Sequence, residues 1–145
     1  MAYLMGIDIS TTGAKAMLMD ERGKVMAGVT TEYPLSTPHP LWSEQSPADW
    51  WQGARTSIRK ALQKAGLRGA EVSALGLTGQ MHGLVMLDAA GQVLRPAILW
   101  NDQRTGRQCA EITAKVGGLN RLLELTGNAV APRFHRAQDR LGEAE

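Results

Sequence analysis

Hydrophobic positions along the first third of the chain fall into runs of strand period. Apolar residues from Tyr3 to Ile9 carry one carboxylate, Asp8, near the end of the run. Ser10-Thr11-Thr12-Gly13 follows as a turn, and a second apolar run from Ala16 to Met19 closes on Asp20. This predicts a hairpin, continued through a tight turn at Glu21-Arg22-Gly23-Lys24 into a third strand, Val25 to Tyr33, as an antiparallel meander. Pro34 ends the meander, and Pro38, His39 and Pro40 impose an extended crossing segment from Leu35 to Ser46. The period then changes to that of a helix. Trp50, Ala54, Ile58, Ala61, Leu62 and Ala65 recur on one face, Ser46-Pro47-Ala48-Asp49 supplies the start signals, and Gly66 the stop. Val72 to Thr78 is nearly continuously apolar, the pattern of a strand buried on both faces. Strands are expected at Leu84–Leu87 and Val93–Trp100, around a turn at Asp88-Ala89-Ala90-Gly91. Two helices follow: one with Cys109, Ile112 and Val116 on one side, broken by Gly117-Gly118, and a shorter one from Leu119 to Leu125. Three strands, a helix, a strand and a further hairpin make an α/β fold, a mixed sheet with a crossover helix.

Composition narrows the classes. The 145 residues amount to one ordinary domain or part of a larger one, and 43% hydrophobic with 21% charged residues suffices for a core. A net charge of +2 with scattered basic residues argues against nucleic acid as a partner. Cys109 is the single cysteine, so no internal disulfide forms, and it is expected as a small buried apolar residue in a reducing compartment. No basic region leads into a long apolar segment and no run reaches membrane-spanning length. The expectation is a cytoplasmic protein without a membrane partner.

Chemistry concentrates at strand ends. Asp8 interrupts a face that should be buried, and a carboxylate there needs a cation, donors or water. The turn beside it offers the hydroxyls of Ser10, Thr11 and Thr12, backbone N–H groups, close approach at Gly13 and the cation of Lys15, which together suit phosphate with a bound metal. An ordinary hairpin with a solvated strand-end Asp accounts for the same residues equally well. Neither a GxxxxGK[ST] nor a GxGxxG pattern is present, so a P-loop or Rossmann assignment is unsupported. Gly79-Gln80-Met81-His82-Gly83 sets donors and acceptors between glycines at a strand end, as a polyol site would, with Met81 packing the carbon chain. A glycine-edged turn with a surface histidine is the plainer alternative. Ligands in α/β sheets gather at the carboxyl ends of central strands, so Asp8 and His82 are expected to face one cleft. Asn101, Asp102 and Arg104 are further sugar-hydroxyl candidates, with Asp102 also a candidate N-cap; Trp42 and Trp100 are the better stacking candidates among the tryptophans. His39, His82 and His135 lack a metal-ligand spacing.

Taken together these motifs carry a family resemblance. Asp8 with Ser10-Thr11-Thr12-Gly13 and Lys15, Leu41-Trp42-Ser43-Glu44-Gln45, Gly79-Gln80-Met81-His82-Gly83 and Trp100-Asn101-Asp102-Gln103-Arg104 resemble, in order and spacing, the N-terminal portion of the FGGY carbohydrate kinases, from about Met1 to Asn128. The GQMHG element favours the kinases of D-xylulose over glycerol or gluconate relatives. The resemblance implies an actin-like, ribonuclease-H-like ATPase fold with an incomplete N-terminal domain, and transfer of the ATP γ-phosphoryl group to the sugar 5-hydroxyl with Mg²⁺. It implies Asp8 at the transfer site, linked indirectly to Mg²⁺, with Thr11 and Thr12 approaching ATP phosphates. Met81 and His82 would bind the sugar, with Gln80 and Asp102 beside them, and the full-length form would be a candidate homodimer. Ser10 departs from the family pattern, where many relatives have Gly.

Length departs further. Relatives carry a second half whose glycine-rich motif supplies the general-base aspartate, so this chain is expected to be inactive by itself and to bind sugar weakly. A kinase for another polyol or sugar acid, or a non-catalytic sugar-binding module, are the competing expectations. Residues 129–145 diverge from the family. Adding one C before family-like codons ACC GCG CCC AAG ATC GGC TGG gives a reading of His-Arg-Ala-Gln-Asp-Arg-Leu, the residues His135 to Leu141. A frame-shifted tail is therefore expected, and a DNA read with unrelated codons there removes it.

Overall fold

The structure is a computed structural model and describes residues 2–131; the divergent residues His135 to Leu141 lie outside the described residues. The described residues divide into two compact units, 2–35 with 46–80, and 36–45 with 81–131.

In the first unit, β1 (Tyr3–Ile9), β2 (Gly13–Asp20) and β3 (Val25–Glu32) form the expected meander, and β5 (Val72–Gly79) joins β1 in parallel, giving the order β3-β2-β1-β5. The β2–β3 turn forms because Asp20 Oδ1 accepts the N–H groups of Arg22 and Lys24 at 2.9 Å and Gly23 takes a φ of +80°. Between β3 and β5 runs helix α1 (Pro47–Ala65), ended by Gly66 at φ 67°. Ser46 has extended backbone at its start, but its side chain makes no capping bond. Period two sorts β1 and β2 between faces: Met5, Ile7, Ala16 and Leu18 pack toward α1, against Ile58, Ala61 and Leu62. Leu18 and Ala61 are fully buried. Burying a side chain the size of Leu18 contributes about 1.5–3 kcal/mol.

Two polar contacts lock α1 to the sheet. The fully buried Ser57 donates to the Ala14 carbonyl at 2.8 Å and bonds Thr31 Oγ1 at 2.7 Å. Gly53 lies so close to the Tyr33 ring that a Cβ there would stand 2.9 Å from Cδ1.

β5 corrects the expectation of burial on both faces. It ends the sheet among the described residues, and Leu75 and Leu77 are 52% and 73% exposed. Its apolar sequence is that of a central strand, while only β1 flanks it here.

The second unit has a two-stranded sheet, β4 (Glu44–Gln45) with β6 (Ala97–Ile98), and the helices α2 (Gly106–Val116) and α3 (Leu119–Thr126). Both helices end on left-handed glycines, Gly117 and Gly127. The expected strands at 84–87 and 93–100 shrink to β6 and isolated bridges, Leu84 to Ile98 and Leu87 to Val93. Pro96 has no N–H for a ladder, and Asp88 Oδ1 draws the Ala90 and Gln92 N–H groups into a tight turn. Among the described residues no helix is long and apolar enough to cross a membrane.

An uncharged edge strand with two exposed leucines is a template for pairing. The 145-residue chain should therefore associate with rising concentration in sedimentation velocity, and Leu77→Lys should shift it toward monomer. A wild-type chain that stays monomeric throughout contradicts this.

Candidate active site

The pleat that buries Met5 and Ile7 turns the even-numbered residues of β1 to the opposite face of the sheet. Pairing then aligns two rows across all strands. Gly28, Met17, Gly6 and Gly76 form one; Thr30, Lys15, Asp8 and Thr78 form the next. Gly6 and Gly76 have nothing within 4 Å of where a Cβ would stand. The face is therefore a groove of about 410 Å³, lined among others by Gly6, Asp8, Lys15, Gly76 and Thr78. Asp8 is half-buried there with exposed Lys15 directly across the ladder.

The β1–β2 turn borders this groove. The Ser10 N–H and hydroxyl both donate to the Gly13 carbonyl, at 3.0 and 2.9 Å, and the Thr12 N–H reaches Ser10 Oγ at 3.4 Å. Gly13 is required on packing grounds, since a Cβ would meet the Thr31 carbonyl at 2.8 Å. The Thr11 hydroxyl donates to Gln80 Oε1 at 3.1 Å, and the Gln80 N–H donates to the Ile9 carbonyl at 2.8 Å. Gln80, expected on the sugar side, thus braces the turn. The Tyr33 hydroxyl donates to the Ser10 carbonyl and tethers the turn from β3's end. Burial, with Asp8 nearby, pushes the Tyr33 phenol up to about 12. Serine at position 10 fits, because its hydroxyl closes the turn.

In the second unit Met81 and His82 are exposed, Met81 at 73%, and His82 adopts a φ of +62°. Exposed Asn101 and Trp100 stand on the loop after β6. Asp102 and Arg104 are buried against one another. The Asp102 side chain is 1% exposed: Oδ2 accepts the Ser43 N–H at 2.6 Å and Arg104 Nη2 at 2.7 Å, while Oδ1 accepts Arg104 Nε and N–H at 2.9 Å. Arg104, 4% exposed, also pairs with Glu44 at 2.7 Å and lies 3.7 Å from the Trp42 ring centroid. Burial opposes its charge, but bonds to Asp102 and Glu44 win, and its pKa rises above the ordinary value. These groups are engaged by one another, and the Arg104 guanidinium covers one face of Trp42. Asp102 is not a helix cap, since α2 starts after Thr105.

Sequence reasoning missed Thr78, Tyr33 and the glycine floor. The one signal for Thr78 and the glycine floor is the repeated pattern Gly6-Ile7-Asp8 and Gly76-Leu77-Thr78, which only the parallel register turns into neighbours.

Among the described residues no three His, Cys, Asp or Glu gather as a metal site. With a single carboxylate at the groove, a Mg²⁺ ion there fits only if phosphate oxygens and water complete its shell. The donor set matches that arrangement.

The N-terminal-domain profile of the FGGY family of carbohydrate kinases matches residues 3–137. The chain belongs to that family. The xylulose kinase of Escherichia coli K12 is 44% identical over 130 residues, which are 90% of this chain and 26% of that one. A glycerol kinase of Delftia acidovorans is 35% identical over 113 residues, 77% of this chain and 23% of that one. The crystal structure of a xyloylose kinase from Brucella ovis superimposes with a TM-score of 0.82 at 41% identity, covering 91% of this chain and 27% of that one. The fold of this FGGY chain is therefore the actin-like ATPase fold, present in part. It spans about a quarter of the length of the relatives it matches.

Two outcomes test this geometry. Tyr33→Phe should cost about 1 kcal/mol of stability, and an absorbance titration should lose a phenol ionising near pH 12. Because the folded phenol holds its proton more tightly than the unfolded one, this group's stabilisation is complete below pH 10 and lost as pH rises toward 12. Asp102→Ala leaves a buried guanidinium short of a partner and should destabilise the second unit by roughly 3–5 kcal/mol in denaturant titrations.

Proposed function

We propose that this chain is the N-terminal part of a cytoplasmic kinase that transfers the γ-phosphoryl group of ATP to the 5-hydroxyl of D-xylulose. The observation that carries the reading is Asp8: a half-buried carboxylate at the carboxyl end of β1, across from Lys15, over a glycine floor and beside a hydroxyl turn. Similarity to xylulose kinases over nine-tenths of the chain supports the sugar.

ATP with Mg²⁺ supplies the transferable group and the neutralising charge. Asp8 would help hold Mg²⁺, which would supply that neutralising charge. The N–H groups and hydroxyls of Ser10, Thr11, Thr12 and Gly13 take phosphate oxygens, with Lys15 as fixed positive charge. Gly6 and Gly76 keep the groove open so that phosphate can lie against the backbone. Met81 packs along the sugar carbons, and His82, with Gln80 beside it in sequence and Asn101 on the loop after β6, orients hydroxyls. The 145 residues by themselves bind sugar without turning it over, because positioning groups from the remaining three-quarters of the relatives are needed.

The test is a chimera in which residues 1–128 replace the matching quarter of the E. coli xylulose kinase, assayed against D-xylulose, L-ribulose, glycerol and gluconate. D-Xylulose should be preferred; Asp8→Asn should lower kcat by roughly a hundredfold or more, and His82→Ala should raise the sugar KM. Preference for glycerol favours the polyol reading supported by the glycerol kinase relative. Full activity of Asp8→Asn removes the role of Asp8.

A further inference from the structure

Two non-glycine residues among those described have left-handed backbone, Leu41 at φ 69° and His82 at φ 62°, and both belong to the second unit. Such strain persists only where surrounding contacts over-determine it. The contacts here form one chain. Leu84, two residues beyond His82, exchanges both backbone bonds with Ile98, at 2.8 and 3.1 Å. Ile98 lies opposite Glu44 in the β4–β6 pair, and the Leu99 N–H donates to the Ser43 carbonyl at 2.9 Å. Ser43 and Glu44 are in turn gripped through their N–H and carboxylate by Asp102 and Arg104, Arg95 adds a bond to Glu44 at 3.1 Å, and the Gln103 N–H donates to the Leu41 carbonyl at 2.9 Å.

A buried ionic cluster is weak as a source of stability, since apolar residues of similar volume often serve as well. What it fixes is geometry: bidentate bonds and a stacked indole set the position of β4 to within the tolerance of a hydrogen bond. β4 sets β6, and β6 holds the far side of the Met81–His82 turn.

We propose that Arg104, with Asp102 and Glu44, is a positioning residue for the Met81–His82 turn, acting through β4 and β6 and never touching the sugar. This rests on the reading of Met81 and His82 as the sugar site, and the experiment separates the two. Amide exchange by NMR on the 145-residue chain, wild type and Arg104→Lys, reads the clamp without any sugar. Lysine keeps the charge and loses the fork, so the Leu84 and Ile98 amides should exchange at least tenfold faster while those of Cys109 and Leu122, in α2 and α3, keep their rates. Glu44→Gln, which keeps the shape, should give the same pattern more weakly. Titration with D-xylulose should then show His82 shifts at a Kd at least tenfold weaker in Arg104→Lys. Unchanged Leu84 and Ile98 exchange in both variants overturns the proposal, as does equal acceleration at Cys109 and Leu122, which marks a general packing role. If the wild type shows no response to D-xylulose, the sugar reading fails while the exchange comparison still decides whether Arg104 positions the turn.

Discussion

The pairing of β1 with β2 on one side and β5 on the other is the constraint on which the first unit depends. One strand serves two faces, and the pleat alone decides which residues meet the helix and which meet the groove. A slip of one residue would put Asp8 into the core beside Leu18 and turn Ile7 out into the groove. Burial of Met5, Ile7, Ala16 and Leu18 against α1 forbids that slip, so the apolar face holds the acidic one in place. The geometry of the groove on this sheet is thus a by-product of hydrophobic packing on its other side.

The second unit solves the same problem with different means. Among the described residues its sheet has two short strands, and few large apolar side chains are buried there beyond Ile98, Leu99 and Leu122. Where apolar area is scarce, direction must come from charge, and the Asp102–Arg104–Glu44 cluster supplies it. The hydrogen bonds are short and the partners nearly dry, so the arrangement tolerates little drift.

Much of this was legible in the sequence, for identifiable reasons. β1 and α1 were placed to within a residue, because period two and period 3.6 persist there and Gly66 is an unambiguous stop. The α2 and α3 boundaries followed from Gly117 and Gly127. Asp8 and the hydroxyl turn were visible because a carboxylate in an apolar run is anomalous. The strands at 84–87 and 93–100 were over-read, since Asp88 and Pro96 compete with the ladder in ways that a hydropathy pattern does not record. Asp102 and Arg104 stood out as polar residues after a strand; that each holds the other shows only in three-dimensional contact. Thr78 and Gly76 stayed hidden because register across a parallel pair is a non-local quantity.

Gly53 carries the widest consequence. It lies on α1, on the sheet face away from the groove, yet its missing side chain is what lets the Tyr33 ring sit where its hydroxyl holds the Ser10 carbonyl. The buried face of the helix and the lip of the groove are therefore one mechanical linkage, with an aromatic ring as the lever. Sequence drift at a position that looks like scaffold would be read out as a shift of the β1–β2 turn, so the residues that set the lip of the groove extend through the thickness of the sheet.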